Sequence, residues 1–409
     1  MSLAFATTEV SGDEFHERRR NARRSGNPAW LWPEVRIEDW GEASAQIGKA
    51  VSSVLAGKRA ELPPSKPMPL SLACYTSGVG PLLGYWLEQG LVDAPDDVGE
   101  LLALHLEHAR KRSSKVEGWS RQIIGALVQS AVPVVVLKGG HTADAYFPDR
   151  ATRPASDLDL LVSSDCSGRA EIALLNCGLE CRIRDRRNST WQYRGPSHEP
   201  RSLWLVHRDD PWSVDLHSSL DFSASAGAPL VRFDSAEPIE KSSAWPLDSD
   251  AGVLSEPLLL LYLAVHAGGG LHSLTLLRMI EIVLVVRKDI ASGRLSWDEF
   301  LQVGTAMNGL GSAYPALCMA EKLAPGTIPS RVLEISAELA RRRTRKVVER
   351  LEPASAHRVD RTSVAEHFMW VRGFSGWCRQ LASDVAPKSE FWSIYEQRAY
   401  RLLRGQLTR

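Results

Sequence analysis

Between two long stretches of helical periodicity, the apolar pattern of this 409-residue chain changes to that of strands. Val132-Pro-Val-Val-Val-Leu137 is a short, continuous β-branched run, which suits a strand buried on both faces, and Gly139-Gly140 stops it. A short helix over about 141–146 and a loop through Pro148 and Pro154 lead to Asp157-Leu-Asp-Leu-Leu-Val162, a second strand. A helix over 170–176 closed by Gly178, a strand over 179–183, and a hairpin with arms at 203–207 and 213–217 around Arg208-Asp-Asp-Pro211 complete the segment. Upstream, helical spacing runs through Leu72, Leu82, Leu83, Trp86 and Leu87 to Gly90. A long helix over 96–129 follows, with Leu101, Leu104, Ile123, Ile124 and Leu127 inward. Downstream, helices are predicted over 258–265, 274–286, 297–307, 333–348 and 364–381. The fold class expected is therefore mixed α/β (α+β), a small sheet core flanked by N-terminal and C-terminal helical regions. Its expected divisions are 1–130 (an arm and helices), 131–245 (the sheet core) and 246–409 (helices).

Charge narrows the partners. The 49 Lys+Arg offset the 49 Asp+Glu, so no global field draws the chain onto nucleic acid or an anionic membrane. Arginines between 18 and 24, beside Trp30, Trp32 and Trp40, and the basic run at 341–346 read as solvated helix faces, with a polyanion as the alternative. Six cysteines without a CxxC pair, no signal-peptide pattern and no apolar run long enough to span a bilayer lead to an expectation of free thiols and a cytoplasmic location.

Chemistry concentrates in Asp157-Leu-Asp159. Strand alternation puts both carboxylates on one face and Leu158 and Leu160 on the other. Two carboxylates about 4 Å apart repel by ~1 kcal/mol in water and ~4 kcal/mol at an effective dielectric of 20, a cost that a divalent cation removes. With 49 acidic residues among 409, chance alone gives about six acidic-x-acidic pairs, so context decides. Here the pair interrupts an apolar strand, and Lys138-Gly139-Gly140 ahead of it opens a helix, where free N–H groups favour a phosphate. Val214-Asp215-Leu-His217 lies on the later strand, with His217 on the same face as Asp215. His266 and His272 flank Gly268-Gly-Gly270, which reads as a helix break or an acceptor pocket.

The stretch Val134-Val-Val-Leu-Lys-Gly-Gly140, Tyr146-Phe-Pro148 and Arg153-Pro-Ala-Ser-Asp-Leu-Asp-Leu-Leu-Val162, with Val214-Asp-Leu-His217 after it, resembles the signature of the uncharacterised nucleotidyltransferase family of the polymerase-β-type superfamily. The similarity runs over about 72–345. It implies a nucleotidyltransferase sheet core and an enzyme that moves a nucleoside monophosphate from an NTP, ATP among them, to a hydroxyl of a small molecule, peptide or protein. On this resemblance Asp157, Asp159 and Asp215 are the catalytic carboxylates and hold two Mg²⁺ ions. Gly139, Gly140, Arg153, Ser156 and Lys138 surround the triphosphate. A nucleotide- or partner-binding protein of the same fold without chemistry, and an RNA-end nucleotidyltransferase, are the alternatives. Two positions depart from the pattern: Gly140 replaces the commoner serine, leaving backbone N–H groups to meet phosphate, and Glu281 stands where an aspartate is usual.

Overall fold

The computed structural model describes residues 17–18, 34–155, 157–184, 187–193, 212–233, 239, 242–245, 247–270, 274–356 and 368–385. Ser156, the arm at 203–207 with its loop, His272 and most of the Trp/Arg arm lie outside the described residues. Helix α1 (Ile37–Leu55) is followed by a two-stranded parallel pair, β1 (Ala60–Glu61) with β2 (Val92–Asp93), around α2 (Pro67–Ser77) and α3 (Gly80–Glu88). The long α4 (Asp96–Gln129) leads into β3 (Val134–Val136), α5 (Lys138–Ala145), β4 (Asp157–Val162), α6 (Ser167–Asn176), β5 (Leu179–Arg184), β6 (Asn188–Tyr193) and β7 (Ser213–His217). Then come β8 (Ser243–Trp245), β9 (Asp248–Val253), α7 (Leu258–Gly268), α8 (Leu276–Ala291), α9 (Trp297–Ala306) and α10 (Leu310–Leu323). The last described helices are α11 (Ser330–Leu339), α12 (Arg342–Arg350) and α13 (Gly373–Val385). Among the described residues, no helix is long and apolar enough to cross a membrane.

Among the described residues, seven strands form one mixed sheet in the order β5-β6-β7-β4-β3-β9-β8. β4 lies parallel to β7 and antiparallel to β3, so the three strands expected to carry the chemistry are neighbours. Alternation divides the central strands between two cores. Leu158, Leu160 and Val162 join Val134, Val136, Val214 and Leu216 against Ile123, Ile124 and Leu127 of α4 and Ala170, Ala173 and Leu174 of α6. Leu161, Val135 and Leu137 face the other way, into a larger core shared by the N-terminal helices α1 to α4 and the C-terminal helices from α7 onward. The sheet is thus buried on both sides, which is why β3 and β4 read as almost unbroken apolar runs.

Several local expectations change. β7 pairs antiparallel with β6 rather than being shown in a hairpin with 203–207. The Gly139-Gly140 pair lies in the first turn of α5, which begins at Lys138, three residues earlier than the sequence pattern suggests. A Cβ at Gly140 would sit 2.9 Å from Val136 Cγ1 and 3.1 Å from Leu158 Cδ1, so this glycine lets α5 press on the sheet. α7 ends at Gly268 with Gly269 as its cap, the helix break that Gly268-Gly-Gly270 suggests, and a Cβ at Gly268 would lie 2.4 Å from the Ser312 carbonyl of α10.

Candidate active site

In the parallel ladder Asp159 is directly opposite Asp215, and Asp157 is opposite Ser213. Side chains at matched positions of neighbouring strands share a face, and Asp157 is two residues from Asp159. Each of the three carboxylates offers an oxygen within 4.8 Å of the others. The surroundings differ sharply between them. Asp159 is 2% exposed; Lys138 Nζ lies 2.8 Å from it and donates a hydrogen bond to Oδ1, which His217 Nε2 also meets at 3.2 Å. Its Oδ2 is also 2.8 Å from Lys138 Nζ, whereas Oδ1 of Asp215 is buried without a hydrogen-bond partner. Burial alone would raise the Asp159 pKa, but the Lys138 ammonium and His217 outweigh it and hold this carboxyl well below the usual range. Repulsion from Asp159, with burial behind it, pushes Asp157 up. Burial raises Asp215, against a hydrogen bond from Thr190 on β6.

The donor set is all hard oxygen, clustered, partly buried and holding an orphaned acceptor, Asp215 Oδ1. That is the chemistry Mg²⁺ takes, with water and phosphate completing its shell. The residues therefore fit the cation. The fit also gives a pH prediction for metal-free protein. A folded Asp157 pKa above its ordinary value near 3.8 means that the fold loses stability as pH climbs through the raised pKa. Asp157→Asn is expected to be the more stable protein at pH 7 in EDTA, with the gap closing as pH falls towards 4. Urea unfolding across pH checks this, and a gap independent of pH contradicts the charge argument.

The other expected site residues are placed as follows. Lys138 opens α5 and is 7% exposed, committed to Asp159. Gly139 lies under Arg153, whose Nη1 would be 2.7 Å from a Cβ there. Arg153 is 8% exposed and donates to Glu281 of α8 from Nε at 3.0 Å and Nη2 at 3.2 Å. The Thr142 hydroxyl of α5 donates to the same Glu281 carboxylate. Glu281 thus points inward after all, as the clamp of an arginine. Gly139, Gly140, Arg153 and Asp157 line a cavity of about 30 Å³ against Arg112 and Ser113 of α4, room for water but not for a triphosphate. His141 meets Tyr146 edge to face, with ring centroids 5.7 Å apart, and burial pushes its pKa down to about 4.

Tyr262 and Arg278, which the sequence pattern did not single out, lie within the electrostatic reach of the carboxylates. Burial raises the pKa of Tyr262 on α7, and the three carboxylates add to the shift. Arg278 of α8 is held 2.6 Å from Nδ1 of His266, and burial, with Lys138 and Arg278 behind it, keeps that imidazole neutral. A capping threonine, Thr275, begins α8 and sets the register of Arg278 and Glu281 one turn apart on the helix. The sequence signal for Arg278 was a charged side chain within an apolar helix.

Among curated proteins and among solved structures nothing matches the chain significantly. A protein-family model described as uncharacterised nucleotidyltransferase matches residues 71–325, a span that includes the acidic strands, α5 and the helices α7 and α8 that cover them. The carboxylate cluster lies inside that span, and the chain belongs to the uncharacterised nucleotidyltransferase family.

Proposed function

We propose that this chain transfers a nucleoside monophosphate from an NTP to a hydroxyl of a small molecule, peptide or protein and releases pyrophosphate. The observation that carries the reading is the meeting of Asp157, Asp159 and Asp215, with Oδ1 of Asp215 buried and unpartnered. Asp157 and Asp159 would hold one Mg²⁺, and Asp215 would share in a second. Bound there, Mg²⁺ neutralises triphosphate charge and lowers the pKa of the acceptor hydroxyl. Asp215, made more basic by burial, takes the hydroxyl proton as the acceptor oxygen bonds to the α-phosphorus. The bond from that phosphorus to the bridging oxygen of the β-phosphate breaks, and the electron pair leaves with pyrophosphate. Lys138 balances Asp159 in the metal-free protein; relieved of that task, its ammonium meets a phosphate oxygen. The first turn of α5, with Gly139 and Gly140, has no side-chain cap, and its N–H groups face the same need. Ser156 remains a proposed hydroxyl donor. Arg153, tied to Glu281, positions α5 rather than gripping phosphate.

The test is purified protein with each NTP, Mg²⁺ and a panel of hydroxyl acceptors, scored for pyrophosphate and labelled product. Mg²⁺-dependent release that disappears in Asp157→Asn is the expected result. No product with any acceptor, together with no stabilisation by Mg²⁺ and NTP, overturns the reading.

Acceptor selection is assigned to the helices and to the segment after β7. A Cβ at Gly269 would lie 2.1 Å from Phe222 Cζ, and the Phe222 ring is 6.3 Å from that of His266. Gly269→Leu must push the Phe222 segment aside, at about 1–3 kcal/mol of repacking. The expected outcome is an acceptor KM raised about tenfold with NTP affinity nearly unchanged, read from steady-state kinetics. Equal loss of both contradicts the assignment.

A further inference from the structure

Strand β6 borders β7 on the side away from β4, and it brings a second row of polar side chains up to the carboxylates. Its antiparallel register sets Thr190 opposite Asp215 and Asn188 opposite His217. Packing fixes which way Thr190 faces. Ser189 and Trp191 on either side of it are buried, the Trp191 indole donates to Ser189 Oγ at 2.8 Å, and Trp191 belongs to the core against α4 and α6. Alternation therefore turns Thr190, which is half-buried, to the opposite face, the one that carries Asp159 and Asp215.

The Thr190 hydroxyl donates to the Asp215 carboxylate. Because Oδ1 of Asp215 is buried without a hydrogen-bond partner, this bond falls on Oδ2. The threonine thus takes one oxygen and leaves the other to the cluster. A carboxylate turns easily about its last torsion, which is broad and roughly two-fold, so a single donor at a fixed point decides where the second oxygen lies. Threonine suits that task, since branching at Cβ stiffens the bond that carries its hydroxyl. The neighbouring carboxylate is held in the same manner, Asp159 Oδ1 being met by Lys138 Nζ at 2.8 Å and by His217 Nε2 at 3.2 Å.

We propose that Thr190 is the positioning residue of the third carboxylate: its hydroxyl holds Oδ2 so that Oδ1 of Asp215 is presented to the second divalent cation. The proposal rests on the metal-dependent transfer reading and deepens it, by giving β6 a part in tuning that cation. Outer donors that orient a ligating group are commonly worth about 10- to 100-fold in metal affinity. Thr190 touches the ligand and not the metal, so its effect must pass through Asp215.

Titration of the full chain with Mn²⁺, followed by electron paramagnetic resonance in the presence of a non-hydrolysable NTP, tests this. The wild type is expected to bind two ions. Thr190→Val keeps the branched shape without the donor, and it should weaken one ion about tenfold or more and leave the other unchanged. Thr190→Ala should repeat that loss, which keeps the test open where the valine variant folds poorly. Thr190→Ser retains the hydroxyl and should retain most of the affinity. Asp215→Asn should weaken the same ion, and adding Thr190→Val to it should change nothing further. A threonine with a structural role alone gives a different pattern, a lowered melting temperature with wild-type Mn²⁺ affinity in the valine and alanine variants. That pattern overturns the proposal, and so does a serine variant as weak as the valine one, or an additional loss on top of Asp215→Asn. Failure of the metal reading looks different again: the wild type itself binds no Mn²⁺, and the proposal falls with it.

Discussion

Asp215→Asn lowers transfer by at least about 10³-fold, roughly 4 kcal/mol of transition-state stabilisation, and leaves the metal-free fold as stable as wild type or slightly more so. The two halves of that expectation come from one geometry. Three carboxylates meet within 4.8 Å, and the Lys138 ammonium is hydrogen-bonded to Asp159 rather than to Asp215. Asp215 Oδ1 is buried without a partner, so an uncharged amide relieves repulsion and desolvation together. Were Asp215 a purely structural strand residue accepting hydrogen bonds, the same change would cost about 1–3 kcal/mol of stability. Mg²⁺ with a non-hydrolysable NTP should raise the melting temperature of wild type and scarcely move that of the variant, because a ligand stabilises only as far as it binds the native state. Thermal unfolding of both proteins, with and without ligand, reads the difference. A variant that is less stable without ligand and still turns over would remove Asp215 from the metal site.

The second large effect belongs to Arg153 and Glu281. This ion pair is buried on both sides, and its carboxylate also accepts from Thr142 on α5. Removing one partner leaves an uncompensated buried charge, so Arg153→Met should destabilise by about 3–5 kcal/mol. Replacing both, Arg153→Met with Glu281→Leu, should recover most of that loss, short of the Thr142 bond at about 1 kcal/mol. Urea unfolding of the wild type, both single variants and the double variant gives the coupling directly. Additive losses would show that the two groups act independently and that Arg153 is available for phosphate.

Much of the scaffold was legible because its periodicity is strong. The helix over 96–129 and the strand Asp157–Val162 are found where the pattern puts them, since burial of a fixed face repeats visibly over many residues. β9 was not legible. Asp248–Val253 is polar and glycine-containing, and it is a strand because β3 offers it a parallel edge, a tertiary reason that outweighs propensity. β6 was missed although Thr190, Trp191 and Tyr193 suit a strand, because the neighbouring polar residues broke the alternation. α10 hides behind Pro315, which the helix accommodates.

By itself the sequence determined the acidic motif, its strand and the side of that strand on which the carboxylates lie, because alternation in a strand is a local rule that needs no partner. It also determined the family, through residues 134–162 and 214–217. Only the tertiary structure decided which strand stands beside which. That adjacency places Asp215 against Asp159, Lys138 on a carboxylate instead of in solvent, and Arg153 in the grip of an α8 residue 128 positions away. Register across a sheet and the pairing of buried charges depend on the whole packed chain, since a one-residue slip or an unpaired ion costs free energy that no local pattern records.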